Sequence, residues 1–546
     1  MKRDFTALQG RRFDLLVCGG GIYGAWTAYD AALRGLHVAI VEQDDWACAT
    51  SSSSSKLIHG GLRYLESFDL KLVRKALRER ALLLRNAPHR VWPLRFGVPL
   101  YTHNRIGALR LQAGLLLYDL LAGCTGKDMR HRRFSQRAYI ENFPGLNPDK
   151  LQGGYTYADA QSDDARLVLE LIAGAQQAGA VCVNHCKLLH VLEQNGQARG
   201  ALVTDQTTQA CIQISAAHIV DTRGAWEAAT AQGNAWCRLT KGIHLVLPAL
   251  GHEAALLLTA PADGRVFFII PWYGRTLLGT TDTDYRGNAA QVSVDTADVT
   301  YLLAAANHYL KTPWTPADVL GSYAGLRVLK KSDASASSAA PSSLSRDWEL
   351  RTTDNGVLHS IGGKLTSARA DAARIVDEVC ARSGVQAPCA TAARALPWTP
   401  PGDFSAWVQS ATLCARQLGV DAESAHWLLR RHGHNVHAIF NDMQCEPALA
   451  ARILPALPLT LGDLLFCARN EMVVHLPDLL RRRMPLLILT PLDADQLRRI
   501  GQAVAPILGW DAATLAHEIE TCRAYLHQPS ATEPVCAMLT PCNDTA

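Results

Sequence analysis

The chain has 546 residues, too many for one hydrophobic core, so two or three domains are expected. With 48% hydrophobic and 19% charged residues, the composition is that of a well-packed globular protein and excludes a disordered one. The 54 basic residues nearly balance the 50 acidic ones, so no nucleic-acid partner is expected, and only local basic stretches are left to meet anionic lipid.

The 15 cysteines are scattered without a CxxC pair, which reads as small buried hydrophobes in a reducing cytoplasm, with no metal site. The amino terminus runs from charged residues into an apolar stretch of only Phe13 to Cys18, too short for a secretory segment. No run of 18 apolar residues occurs, so no membrane-spanning helix is expected and peripheral attachment stays open.

The first chemical signal is "FDLLVCGGGIYGAWTAYDAALRGLHVAIVEQ", which reads as strand, glycine turn, helix and second strand. Gly19, Gly21 and Gly24 give the G-x-G-x-x-G spacing, with Gly20 between them. One glycine permits the turn, one lets backbone amides approach a pyrophosphate, and one lets helix pack on strand. Glu42 ends the second strand, where it can accept from ribose hydroxyls, so NAD or the adenosine half of FAD fits better than NADP.

Directly after this unit comes "WACATSSSSSKLIHGGLRYLE". Five serines read either as a flexible spacer or as the floor of a site, where small hydroxyl side chains let the backbone approach a ligand. The stretch resembles the flavin-contacting signature of FAD-dependent glycerol-3-phosphate dehydrogenases, which favours the floor. The resemblance implies cofactor contacts from Thr50, Ser51, Ser52, Ser55, Lys56, His59, Gly60 and Gly61. It continues through "GGYTYADAQSDDARLVLELI", through "RLTKGIHLVLP" and "FFIIPWYGRTLLGTTDTDY", which bring His244 and Asp282, and through "SYAGLRVL" and "SSLSRDWEL", which bring Arg327 and Arg346. "SIGGKLTSARADAARIVDEV" is similar to the closing turn and implies Gly362, Gly363, Leu365 and Thr366 at the cofactor, with Lys364 near flavin and substrate. Two departures stand out: "VDTRGAW" carries Asp221, Arg223 and Ala225 where the family reads Asn-Ala-Xaa-Gly-Pro-Trp, and Tyr23 replaces an asparagine of the glycine turn.

Oxidising a phosphorylated secondary alcohol requires an anion clamp, a hydride acceptor and a proton acceptor. Arg327 and Arg346 are candidates for the phosphate, because a guanidinium fork matches its oxygens. Arg63 and Lys364 are candidates for the reacting hydroxyl, where positive charge favours a developing alkoxide. For the proton, His244 has a suitable ordinary pKa, with Tyr64 and His59 as alternatives. Between the arginine motifs, Lys330 to Leu344 is Ser- and Ala-rich and reads as a loop.

Clustered prolines in "RALPWTPPGDFSAW" mark a boundary near residue 397, and three segments beyond it have helical apolar spacing. No close cysteine set there suits an iron–sulfur cluster, which disfavours the multi-subunit anaerobic enzyme. The basic "SFDLKLVRKALRERALLLRNAPHRVWPLRF" and the apolar "RIGALRLQAGLLLYDLLAG" read as amphipathic helices, either lying in a membrane surface or packed on the core. "LLRRRMPLLIL", Leu479 to Leu489, is a second candidate patch.

The expected fold is α/β: a Rossmann-like FAD-binding domain with an antiparallel-sheet substrate cap over residues 1–396, then an all-α domain over 397–546. FAD-binding segments are expected at roughly 13–95, 150–240 and 350–385. The resemblance implies oxidation of glycerol 3-phosphate, with electrons passing to a membrane quinone. It further implies a peripheral or monotopic attachment to the inner face of the cytoplasmic membrane, with a homodimer open. Alternatives are a paralogue acting on another polyol phosphate or phosphonate, an oxidase using oxygen, and a non-catalytic flavoprotein.

Overall fold

A computed structural model describes residues 1–526 apart from 67, 103–105, 124–125, 231–235 and 332–346. Strand Arg12–Cys18 lies at the centre of an eight-stranded sheet, parallel to Val38–Val41 on one side and to Cys211–Asp221 on the other. Val181–Val183 and Leu358–Ile361 extend the parallel set, and Glu349–Thr352 closes one edge antiparallel. The central strands Arg12–Cys18 and Val38–Val41 are apolar and buried for most of their length, as expected where both faces of a parallel sheet are covered. Helices Ile22–Leu33, Asp164–Gln177 and Ala368–Ser383 share one core with them.

A ten-stranded, mostly antiparallel sheet forms the cap. Its long strand Leu151–Ser162 pairs with Val91–Tyr101 and runs directly into helix Asp164–Gln177, whose N-cap Asp163 accepts from Arg166 N. Cap and cofactor region are therefore one continuous body at that junction. Strand Cys237–Pro248 pairs from Cys237 to Val246 with the whole of Gly321–Lys330, which puts Thr240 opposite Arg327 and His244 opposite Tyr323. The fold is thus a Rossmann-like unit with an antiparallel cap, followed by helices from Phe404 to Leu526.

Those last helices share a hydrophobic cluster with the cap, to which Leu94 and Phe96 contribute from the sheet and Leu464, Leu476 and Leu486 from the helices. Buried ion pairs join them to the cofactor region: Arg166 to Glu471, and Arg482 and Arg483 to Asp45. This corrects the reading of Leu479–Leu489 as a surface patch. Leu479, Leu480, Met484, Leu486 and Leu489 are each 0% exposed, and Arg482 and Arg483 between them pair with buried Asp45.

The two amphipathic segments differ from each other. Helix Leu70–Asn86, capped by Asp69, turns Val73, Ala76, Leu77 and Leu83 into the core and leaves Lys71, Arg74, Arg78 and Arg85 outside. It stops before Pro88, and the "VWPLRF" that follows forms strand Val91–Tyr101. In helix Ala108–Leu121, by contrast, only Leu115 and Tyr118 are buried, while Leu109 is 83% and Leu120 76% exposed. Phe68 is exposed as well, at 81%. Among the described residues no helix is long and apolar enough to cross a membrane.

Candidate active site

The glycine turn is built by close approach. Gly19 sits at φ +110°, and a Cβ there would lie 2.8 Å from the Thr222 carbonyl carbon. A Cβ on Gly24 would come within 1.9 Å of the Gly19 oxygen, so the helix rests directly on the turn, as its spacing predicts. Gly20 serves differently from the expectation: it packs against Trp46, and its N–H donates to Glu42 at 2.5 Å. Glu42 is buried, and desolvation raises its carboxyl to about 7 even though the Gly20 and Asp44 amides favour the charged form. Ser51 Oγ accepts from Ile22 N at 2.9 Å, tying the serine tract to the start of the helix.

The tract is ordered through partners far away in sequence. Thr50 Oγ1 donates to Leu326 O at 2.6 Å, and Ser54 Oγ donates to Asp164 at 2.6 Å. Lys56, expected at the cofactor, is a correction: its buried ammonium pairs with Asp164 at 2.6 Å and donates to Ser52 O. Ser52 is likewise turned inward, onto Ala49 O. Gly60 is another correction, because its N–H donates to Asp159 and a Cβ would strike Leu77 and the Tyr118 hydroxyl. Asp159 also accepts from Tyr118 Oη at 2.8 Å and pairs with Arg80 at 2.5 Å. It therefore fastens both outer helices to the His59–Gly61 turn.

One cavity of about 1700 Å³ joins these parts. From the expected cofactor set it is lined by Gly19, Gly21, Glu42, Thr50, Ser51, Ser55, His59, Gly61, Gly362, Gly363, Leu365 and Thr366. Gly20, Gly24, Ser52, Lys56 and Gly60 support that lining from behind. Thr366 Oγ1 also accepts from His59 N at 3.2 Å, which locks the two turns together.

Arg63, Lys364 and Arg327 line the same cavity. The Arg63 guanidinium lies 4.9 Å and the Lys364 ammonium 4.0 Å from the centre of the Tyr64 ring, and Arg63 also donates to the Tyr64 hydroxyl at 3.1 Å. Arg327 donates to Thr281 O at 3.1 Å and Thr280 Oγ1 at 2.9 Å, and pairs with Asp282 at 3.2 Å. Gly242 makes its room, since a Cβ there would lie 2.3 Å from the guanidinium. Arg346 and most of the Ser- and Ala-rich segment lie outside the described residues.

His244 does not line the cavity, which corrects its expected direct role. It is buried and stacked on Tyr323, and its Nε2 bonds Ser55 Oγ at 2.8 Å. Burial, with Arg327 and Lys56 nearby, drives its pKa well below 6.5, so the ring is neutral and resists becoming a cation. His59 and Tyr64 do line the cavity.

Several lining groups lie outside the individual residues expected at the site. The turn after Asp221 contributes Thr222, Arg223 and Trp226. Arg223 pairs with Asp221 at 2.5 Å and Glu227 at 3.1 Å, so the departures from the family pattern form an ion cluster of their own. Phe68, Arg110, Leu111 and Leu117 extend the lining to the exposed apolar helix. Their only cue was the helical apolar spacing, which does not say what the helix faces.

A site of this size exceeds the roughly 300–1,000 Å³ that suits a drug-sized ligand. Its donor-rich glycine turn, buried Glu42 and hydroxyl floor fit the adenosine and pyrophosphate part of FAD, and the cation wall leaves room for a small anion. Comparison with known proteins agrees. Residues 14–369 match the FAD-dependent oxidoreductase family, and residues 400–515 match the C-terminal domain of alpha-glycerophosphate oxidase. The glycerol-3-phosphate dehydrogenase of Synechocystis is 34% identical over 96% of this chain and 98% of its own. The aerobic glycerol-3-phosphate dehydrogenase of Bacillus subtilis is 32% identical over 96% of each. The solved Bacillus halodurans glycerol-3-phosphate dehydrogenase, complexed with FAD, superposes with a TM-score of 0.77 at 28% identity over 97% of both chains. The chain thus belongs to the FAD-dependent glycerol-3-phosphate dehydrogenase family, with FAD as its cofactor.

Proposed function

We propose that this chain oxidises sn-glycerol 3-phosphate to dihydroxyacetone phosphate and passes the electrons to a quinone at a membrane surface. The observation that carries the reading is the cation wall of Arg63, Lys364 and Arg327 in the cavity that begins at the glycine turn. Bound FAD supplies the hydride acceptor. Arg327, held toward the cavity by Thr280, Thr281 and Asp282, binds the phosphate together with Arg346. Arg63 and Lys364, gathered around Tyr64, stabilise negative charge on the reacting oxygen. His59 or Tyr64 takes the proton, while neutral His244 orients the Ser55 hydroxyl.

Support for the acceptor half comes from helix Ala108–Leu121. Its outward leucines and Phe68 form an apolar ridge, and the helix itself lines the cavity. Next to it the basic residues of helix Leu70–Asn86 suit an anionic lipid surface, so attachment is peripheral or monotopic, on the cytoplasmic face.

The test is anaerobic addition of glycerol 3-phosphate to the purified flavoprotein. Loss of the visible band of oxidised flavin, restored by a water-soluble quinone, is the expected result. A band that persists with glycerol 3-phosphate but bleaches with another polyol phosphate moves the substrate. Rapid stoichiometric peroxide in air would replace quinone by oxygen.

A further inference from the structure

Tyr23 departs from the residue expected in the glycine turn, and it reaches across the cavity edge to the Gly362–Gly363 turn and the helix after it. Its Oη accepts from Lys364 N at 3.0 Å and donates to Asp371 Oδ2 at 3.0 Å. The same hydroxyl packs flush against Gly363, where a Cβ would lie 1.8 Å from it. Gly362 and Gly363 sit at φ +73° and +97°, a backbone that two glycines permit but do not favour over other conformations. The turn that carries Lys364 therefore needs an external pin, and Tyr23 is placed as one.

The pin is itself held. The Asp371 carboxylate is fully buried and also accepts from Ser367 Oγ at 2.9 Å and from the Lys75 ammonium. Thr27 Oγ1 bonds the Tyr23 carbonyl at 2.8 Å. Burial and the Asp371 charge keep the Tyr23 hydroxyl protonated, with its pKa well above 10, so it stays a donor to the carboxylate. An asparagine at position 23 ends several bonds nearer its own backbone, so the reach to the Lys364 amide depends on the length of the tyrosine side chain.

We propose that Tyr23 is a positioning residue for Lys364: its hydroxyl, oriented by Asp371, fixes the Gly362–Gly363 turn so that the ammonium stays over Tyr64 and faces the reacting oxygen. This rests on the reading that Lys364 stabilises charge in the cavity.

The experiment uses the holoenzyme with wild type, Tyr23→Phe, Lys364→Met and the double variant. Two quantities are measured: the anaerobic rate of flavin bleaching by glycerol 3-phosphate, and affinity for sulfite, whose flavin adduct is anionic and is stabilised by nearby positive charge. Tyr23→Phe should retain FAD, hold the substrate dissociation constant within about twofold, and lower both the bleaching rate and the sulfite affinity roughly tenfold, the scale of a small misplacement. In the Lys364→Met background the same change should do nothing further, because residues acting as a unit are not additive.

Equal effects of Tyr23→Phe with and without Lys364, or unchanged sulfite affinity in Tyr23→Phe, overturn the proposal while leaving the Lys364 reading intact. If Lys364→Met itself moves neither quantity, the Lys364 reading fails first and the proposal fails with it. Should Tyr23→Phe lose its FAD, the same cycle is run on Asp371→Asn, which loosens the pin without touching the cavity. Additivity with Lys364→Met there overturns the proposal equally.

Discussion

The Lys364 ammonium and the Tyr64 ring lie 4.0 Å apart, nitrogen to ring centre, with the Arg63 guanidinium 4.9 Å from the same centre. One aromatic side chain thus holds two cations at the cavity wall that would otherwise repel each other. Removing the ring should scatter both. We expect Tyr64→Ala to lower kcat/KM for glycerol 3-phosphate by about two orders of magnitude, in the range of lost positioning. Tyr64→Phe, which keeps the ring but loses the bond from Arg63, should cost less. Steady-state kinetics with a dye acceptor compares the two, and equal losses would locate the effect in the hydroxyl.

Glu42 gives a pH dependence whose sign can be worked out. Its carboxyl titrates near 7 because it is buried. In the role proposed for Glu42 the ribose hydroxyls would donate to its charged form, so FAD binding would lower that pKa and release a proton below about pH 7. Affinity of the apoprotein for FAD should therefore weaken as pH falls from 8 to 6, and Glu42→Gln should bind FAD more weakly with a flat profile. Quenching of FAD fluorescence on binding gives both curves. A wild-type curve as flat as that of the variant would remove Glu42 from the ribose.

Lys56 and Asp164 form a pair whose side chains are 2% and 0% exposed. Taking away one partner leaves an uncompensated charge in the interior, so Lys56→Met should destabilise by about 3–5 kcal/mol. Replacing both with Met and Asn should recover much of that loss. Urea unfolding of the holoprotein measures each, and a loss within 0.5 kcal/mol, roughly a surface effect, would mean that the pair is solvated.

The membrane contact proposed for the exposed leucines of helix Ala108–Leu121 can be tested apart from substrate oxidation. Leu109→Glu with Leu120→Glu should abolish binding to anionic vesicles and slow reduction of a lipid-embedded quinone, while bleaching by glycerol 3-phosphate proceeds as in wild type. Co-sedimentation and stopped-flow absorbance make the comparison. Unaltered vesicle binding would assign attachment to another surface.

Local features were legible from sequence and distant partnerships were not. Strand, turn, helix and strand from Arg12 to Val41 follow from apolar runs and glycine spacing within thirty residues. The serine tract could not be ordered by inspection, because Ser54 and Lys56 meet Asp164 more than a hundred positions away. Apolar spacing likewise marks Leu479–Leu489 and Ala108–Leu121 alike, although one is buried under the cap and the other lies bare. The helical pattern shows that a greasy face exists and is silent on what covers it. The Tyr23 substitution was visible as an oddity, but its partner stands 341 residues on.

Asp159 gives helix Ala108–Leu121 two independent sides. Tyr118 grips that carboxylate from within, next to buried Leu115, and Leu109, Leu116 and Leu120 point the other way. The outer side can accordingly be rewritten with polar residues while the keel stays docked, so the greasy surface can be changed with the floor of the cavity undisturbed.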